Sequence, residues 1–122
     1  MDGGKMTDSL QDLRIRINSF VSERDWAQFH TPKNLAMAMI VEAAELVELF
    51  QWDTPIESQQ LSDEKREAVT HELADTFLYL LRITEVLEID LIDAANKKIV
   101  LNAQKYPVDK AKGSNAKYTK YL

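Results

Sequence analysis

The stretch Leu35–Trp52, LAMAMIVEAAELVELFQW, constrains this chain more than any other. Leu, Met, Ala and Glu fill it and neither Gly nor Pro interrupts it, so it is expected as one helix. Its first half, Leu35–Val41, is apolar on every side, which predicts burial all round. Glu42 and Glu45 then follow, three residues apart on the same helix. At that spacing β-carbons lie about 5–6 Å apart, so the two carboxylates repel each other. Burying them unpaired is costly, and either basic side chains or a metal ion must compensate.

Length and charge narrow the setting. A chain of 122 residues is one small domain with room for a real core. The net charge of −5 argues against a nucleic-acid polymer held on a basic surface. Charge is unevenly spread, because Pro107–Leu122 carries Lys110, Lys112, Lys117 and Lys120 against Asp109, leaving the rest of the chain strongly acidic. The absence of cysteine excludes a disulfide framework and a thiolate metal site, and fits a reducing compartment. No signal-peptide pattern follows MDGGK, so a cytoplasmic location is the expectation. The longest apolar run is far short of the ~20 residues that span a bilayer, which argues against a membrane partner.

The expected organisation is a flexible tail over 1–8, a helical domain over 9–107 and a basic tail over 108–122 without a packed core of its own. A first helix starts at Thr7 or Asp8, either of which can cap it, and turns Leu10, Leu13, Ile17, Phe20 and Val21 to the core. Arg14, Arg16 and Glu23 lie on its other faces. The connector Arg24–Asn34, RDWAQFHTPKN, is rich in aromatic and hydrogen-bonding groups, and Pro32 suits the first turn of the next helix. Composition alone reads Trp26 and Phe29 as plugs for the end of a bundle.

After Trp52, DTPIESQQLS reads as a loop, and Ser62 caps a third helix that runs to about Glu88. Its core stripe is Val69, Leu73, Phe77, Leu80, Thr84 and Leu87. A second line at helical spacing holds Ala68, Glu72, Asp75, Tyr79 and Arg82. A fourth helix starts at the Asp90 cap and ends before Pro107, with Ile92, Ala95, Ile99 and Ala103 facing inward.

Glu72 and Asp75 repeat the spacing of Glu42 and Glu45. Two such helices face to face would gather four carboxylates, a donor set that selects Mg²⁺ or Mn²⁺ over softer metals. Glu48 lies two-thirds of a turn round from Glu42 and is expected to be exposed. A di-iron bundle needs Glu-x-x-His on two helices, and neither His30 nor His71 is so preceded. A non-catalytic helical module, its acidic face docked on a basic partner, is the remaining alternative.

E-x-x-E on one helix and E-x-x-D on the next resemble the MazG-like all-α nucleoside triphosphate pyrophosphohydrolases. RDWAQFHTPKNL (24–35), EAAELVELFQW (42–52), HELAD (71–75) and NAQKYPV (102–108) are similar to motifs of the dCTP pyrophosphatase subgroup. The resemblance implies an all-α four-helix bundle, a homo-oligomer (dimer or tetramer), and Mg²⁺, with Mn²⁺ as substitute, on Glu42, Glu45, Glu72 and Asp75. It implies cleavage of dCTP, or a modified dCTP, between the α- and β-phosphates. Trp26, His30 and Trp52 would hold the nucleobase, with Tyr79 on the sugar side and Asn102, Lys105 and Tyr106 at the phosphates or sugar. Lys105 and Lys33 would offset charge on the leaving pyrophosphate. Glu45 is the expected general base, and His30 with Gln28 the expected readers of the base edge.

Overall fold

A computed structural model describes residues 9–121, so the expected tail over 1–8 and the caps Thr7 and Asp8 lie outside the described residues. All regular structure among the described residues is helical: α1 (Leu10–Glu23), α2 (Pro32–Phe50), α3 (Asp63–Val86), α4 (Leu91–Lys105) and α5 (Val108–Ala111). Single 3₁₀ turns occupy Ala27–Phe29, Glu57–Gln59 and Tyr118–Tyr121. No described helix is long and apolar enough to cross a membrane.

The helix starts follow from side-chain caps. Ser9, rather than Thr7 or Asp8, caps α1, its hydroxyl accepting from the Asp12 N–H at 2.9 Å. Thr31 caps α2 by accepting from the Asn34 N–H, and Pro32 takes the first helical position, where no backbone N–H is needed. Ser62 and Asp90 cap α3 and α4 as their sequence positions predict. Helix α3 stops at Leu87, and Glu88 takes the left-handed conformation (φ 55°) that lets the chain turn away.

The chain divides into two compact units, one ending at Glu88 and one beginning at Ile89. In the first, α2 packs along α3 and α1 packs more lightly on α3. Val21, Leu35, Val69 and Leu81 are its buried apolar residues, and Leu81 is wholly inaccessible. An ion-paired cluster ties α1 to α3: Glu85 Oε2 accepts from Arg14 Nε at 2.7 Å and pairs with Arg14 Nη2 at 2.6 Å. Lys65 holds the α2–α3 loop by pairing with Asp53 at 2.5 Å, and its ammonium lies over the Phe50 ring.

Three core expectations are corrected. Of the apolar first half of α2 only Leu35 is buried; Met37, Ile40 and Val41 are 57%, 63% and 54% exposed. Helix α3 packs along one side of α2, and Met37, Ile40 and Val41 lie off that side. On α3 the buried line runs through Val69, Leu81 and Thr84, while Leu73, Phe77 and Leu87 face out. In the second unit, Ile92 and Ile99 of α4 are exposed rather than turned to a core. The same unit carries α5 and a 3₁₀ turn, with Tyr118 edge-on to Tyr106 and the Lys105 ammonium 5.0 Å from the Tyr118 ring centroid.

Candidate metal and nucleotide site

Helix α2 carries Glu42 and Glu45 one turn apart, and α3 packs against it with Glu72. Carboxylate oxygens of these three residues lie within 4.8 Å of one another. Asp75, one turn beyond Glu72, is exposed and lies outside this tight group, though its charge still acts on Glu42. Glu48 is exposed, as its helical angle predicts.

Crowding of like charge has two visible consequences. Glu42 is pushed up to about 7, first by a carboxyl–carboxyl contact with Glu72, then by burial and by the proximity of Glu45 and Asp75. Such a contact requires a shared proton, since an ionised carboxylate has no hydrogen to donate. Glu72 Oε2 is buried and receives no hydrogen bond from any donor among the described residues. A crowded carboxylate cluster with a buried, unmatched oxygen fits a hard divalent cation, which would offset the crowded negative charge.

An open pocket of about 620 Å³ adjoins this cluster, and Glu42 belongs to both. Its apolar wall comes from α1 (Leu13, Ile17, Phe20, Val21) and from Leu78 of α3. The α1 stripe, expected to be plain core, is therefore the wall of a cavity, and only Val21 in it is fully buried. Trp26 is no bundle plug: it lines the pocket, edge-on to Phe20 at 5.7 Å. His30, Asp75, Tyr79, Arg16 and Arg82 complete the lining.

His30 is held from behind. Its Nδ1 accepts from Arg82 Nε at 3.0 Å, and Arg82 Nη1 donates to Asn18 Oδ1 at 2.7 Å. Asn18 Nδ2 in turn donates to Glu85 Oε1 at 3.1 Å, which joins the group to the Arg14–Glu85 pair. Burial, reinforced by the Arg82 charge, lowers the His30 pKa and keeps the ring neutral. Gln28 is turned elsewhere, donating to the backbone and side chain of Asp25, which sits at a left-handed φ of 53°.

A sequence model of the MazG-like family matches residues 37–120, which include Glu42, Glu45, Glu72 and Asp75. The chain belongs to the MazG-like family. This MazG-like chain is 42% identical to dCTP pyrophosphatase 1 of Mus musculus over 113 residues, 91% of this chain and 66% of that protein. The Homo sapiens protein of the same name is 41% identical over the same shares. The chain thus spans just under two thirds of the length of these relatives. Among solved structures, a pyrophosphatase from Archaeoglobus fulgidus matches with a TM-score of 0.77 at 36% identity, covering 84% of this chain and 99% of that one.

Of the residues singled out in the sequence, this MazG-like fold brings Trp26, His30, Tyr79, Glu42 and Asp75 to one pocket, with Glu45 and Glu72 in the adjoining cluster. Lys33 is exposed in the first turn of α2, and Trp52, just past its end, is 88% exposed; neither lines the pocket. Asn102, Lys105 and Tyr106 belong to the second unit, the first two on α4 and Tyr106 at its C-cap. Sequence reading missed Arg16, Asn18 and a role for Arg82. Arg82 had a usable signal, because it continues the Glu72–Asp75–Tyr79 line by one more turn.

Proposed function

We propose that the chain is a metal-dependent nucleoside triphosphate pyrophosphohydrolase of the cytoplasmic nucleotide pool. It cleaves dCTP, or a modified dCTP, between the α- and β-phosphates to give the monophosphate and pyrophosphate. The observation that carries this reading is the clustering of Glu42, Glu45 and Glu72 at the edge of a pocket walled by Trp26 and Tyr79. An acidic cluster repels a triphosphate, and an aromatic pocket attracts a base; together they suit a nucleotide that arrives with a divalent cation.

Glu42, Glu45, Glu72 and the nearby Asp75 would hold Mg²⁺, or Mn²⁺ in its place. Once bound, the cation would neutralise phosphate charge and acidify the attacking water. The chain's own contribution is orientation and proton transfer. Trp26 stacks the base and Tyr79 meets the sugar, which leaves the phosphates directed to the carboxylates. Water adds to the α-phosphorus, the bridging Pα–O bond breaks with pyrophosphate leaving, and Glu45 takes the proton. Glu45 is assigned that role because, within the tight carboxylate group, it is exposed whereas Glu42 and Glu72 are partly covered.

The working form is proposed to be a homo-oligomer, a dimer or a tetramer. Met37, Ile40, Val41 and Val47 recur at helical spacing along α2 and form one exposed apolar row, which a second copy would cover. A screen of common and modified nucleoside triphosphates with Mg²⁺, read as pyrophosphate released, tests the activity. Release fastest with a cytosine deoxynucleotide is expected, and no release from any triphosphate would refute the reading.

A further inference from the structure

Arg82 does more than join two helices. Its guanidinium donates from Nε to His30 Nδ1 and from Nη1 to Asn18 Oδ1. Arginine has no acceptor and does not lose its proton in the working pH range. A ring nitrogen that receives its N–H must therefore offer a lone pair, and in a neutral imidazole the single proton then sits on Nε2.

The orientation of this contact is fixed from further back. Glu85 is an acceptor on both oxygens, one taken by Arg14 and the other by the Asn18 amide nitrogen. With its NH₂ turned to Glu85, Asn18 can present only its carbonyl oxygen to Arg82. A flipped amide would set oxygen against carboxylate and NH₂ against guanidinium, losing both bonds. The chain of contacts Arg14–Glu85–Asn18–Arg82 thus admits one polarity, and it ends at the ring of a pocket-lining histidine.

We propose that Arg82 is a positioning residue that locks His30 as its Nε2–H tautomer, so that the pocket presents a fixed hydrogen-bond donor to an acceptor on the base edge. This rests on the nucleotide reading above and deepens it to a specificity rule. Cytosine carries a bare N3, an acceptor, where uracil carries N3–H, a donor. A fixed Nε2–H pairs with the first and opposes the second, and an unpaired or opposed polar group in a pocket is penalised heavily. Released from Arg82, the ring can exchange tautomers and offer Nε2 as an acceptor, which suits uracil. The lowered pKa of His30, from burial and then the Arg82 charge, works in the same sense by disfavouring the doubly protonated ring.

The test reads the tautomer directly. The chain has two histidines, so ¹⁵N ring shifts of the full chain at pH 8 can be assigned with His71→Gln. In the wild type, His30 is expected with Nδ1 unprotonated and Nε2 protonated. Arg82→Met should give a mixed tautomer and lower the dCTP-to-dUTP ratio of kcat/KM about 10-fold. Arg82→Lys, which keeps a cationic donor, should restore most of both. Protonated Nδ1 in the wild type would overturn the proposal without any variant having to fold. So would an Arg82→Met protein with a lower Tm but an unchanged tautomer and ratio, since that is what a purely structural clamp predicts. A wild type that hydrolyses no triphosphate would refute the proposed activity, whereas the ring shifts decide the Arg82–His30 lock by themselves.

Discussion

Replacing Glu42 by Gln should make the metal-free protein less sensitive to alkaline pH, although it removes a group proposed to hold the metal. Glu42 rises from 4.5 to about 7 on folding, chiefly through its contact with Glu72. The folded state therefore binds more protons than the unfolded state between those values, and stability falls as pH rises across that window. The contribution is fully present below pH 4.5 and gone above about 7. Taken at face value the shift amounts to about 3 kcal/mol. Glu42 is partly open to solvent, and screening brings this to roughly 1–2 kcal/mol. For a domain of this size that is a fall in Tm of about 4–8 °C between pH 5 and pH 8.

His30 acts with the opposite sign. Its pKa is lowered on folding, so its contribution grows as pH rises towards 6.5. It is common to both proteins and drops out of the difference between them. Thermal unfolding in EDTA, followed by circular dichroism at pH 5, 6, 7 and 8, gives the comparison. The expected result is a variant whose Tm matches the wild type at pH 5 and exceeds it at pH 8. Millimolar Mg²⁺ should then raise the wild type more than Glu42→Gln. Parallel pH profiles for the two proteins would refute the carboxylate-crowding account, and equal Mg²⁺ shifts would refute the assignment of Glu42 to the metal.

Glu45→Gln and Asp75→Asn should each abolish pyrophosphate release while the helical circular dichroism signal stays intact; near-normal turnover in both would sink the metal site. Glu85→Gln should cost about 1–2 kcal/mol at pH 7, because it weakens the bonds from Arg14 and Asn18. Since those bonds hold the Glu85 pKa below 4.5, the wild-type advantage should shrink progressively as pH falls below 4.5, as urea titrations at pH 7 and at successive lower pH values would reveal. Glu88→Gly should raise stability by about 0.5–1 kcal/mol, since it relieves a left-handed residue at the end of α3; an unchanged urea midpoint would contradict this. Ile40→Asp should convert an oligomer to monomers in light scattering, and a wild type that is monomeric and fully active would remove the oligomer proposal.

The sequence by itself determined the four long helices and most of their starts. Thr31 with Pro32, Ser62 and Asp90 are local signals, because a cap acts on backbone groups within three residues of itself. It also determined that Glu42 and Glu45 share one helix face, since helical spacing brings such residues together wherever the helix goes. The MazG-like resemblance was legible for a related reason, being carried by short motifs that are contiguous in the chain.

Only the tertiary structure decided which face of each helix meets a neighbour. Periodicity groups Val69, Leu73 and Phe77 on one broad stripe of α3, yet it cannot say where along that stripe α2 will lie. Packing buried Val69 and Leu81 and left Leu73 and Phe77 outside. It likewise chose Glu72 over Asp75 as the third member of the tight carboxylate group, although both stand on the same helical line. It alone brought Arg82 to His30 across 52 residues of chain. A side-chain contact of that separation has no local signature, because its geometry depends on how α3 and the connector before α2 are set by the core between them.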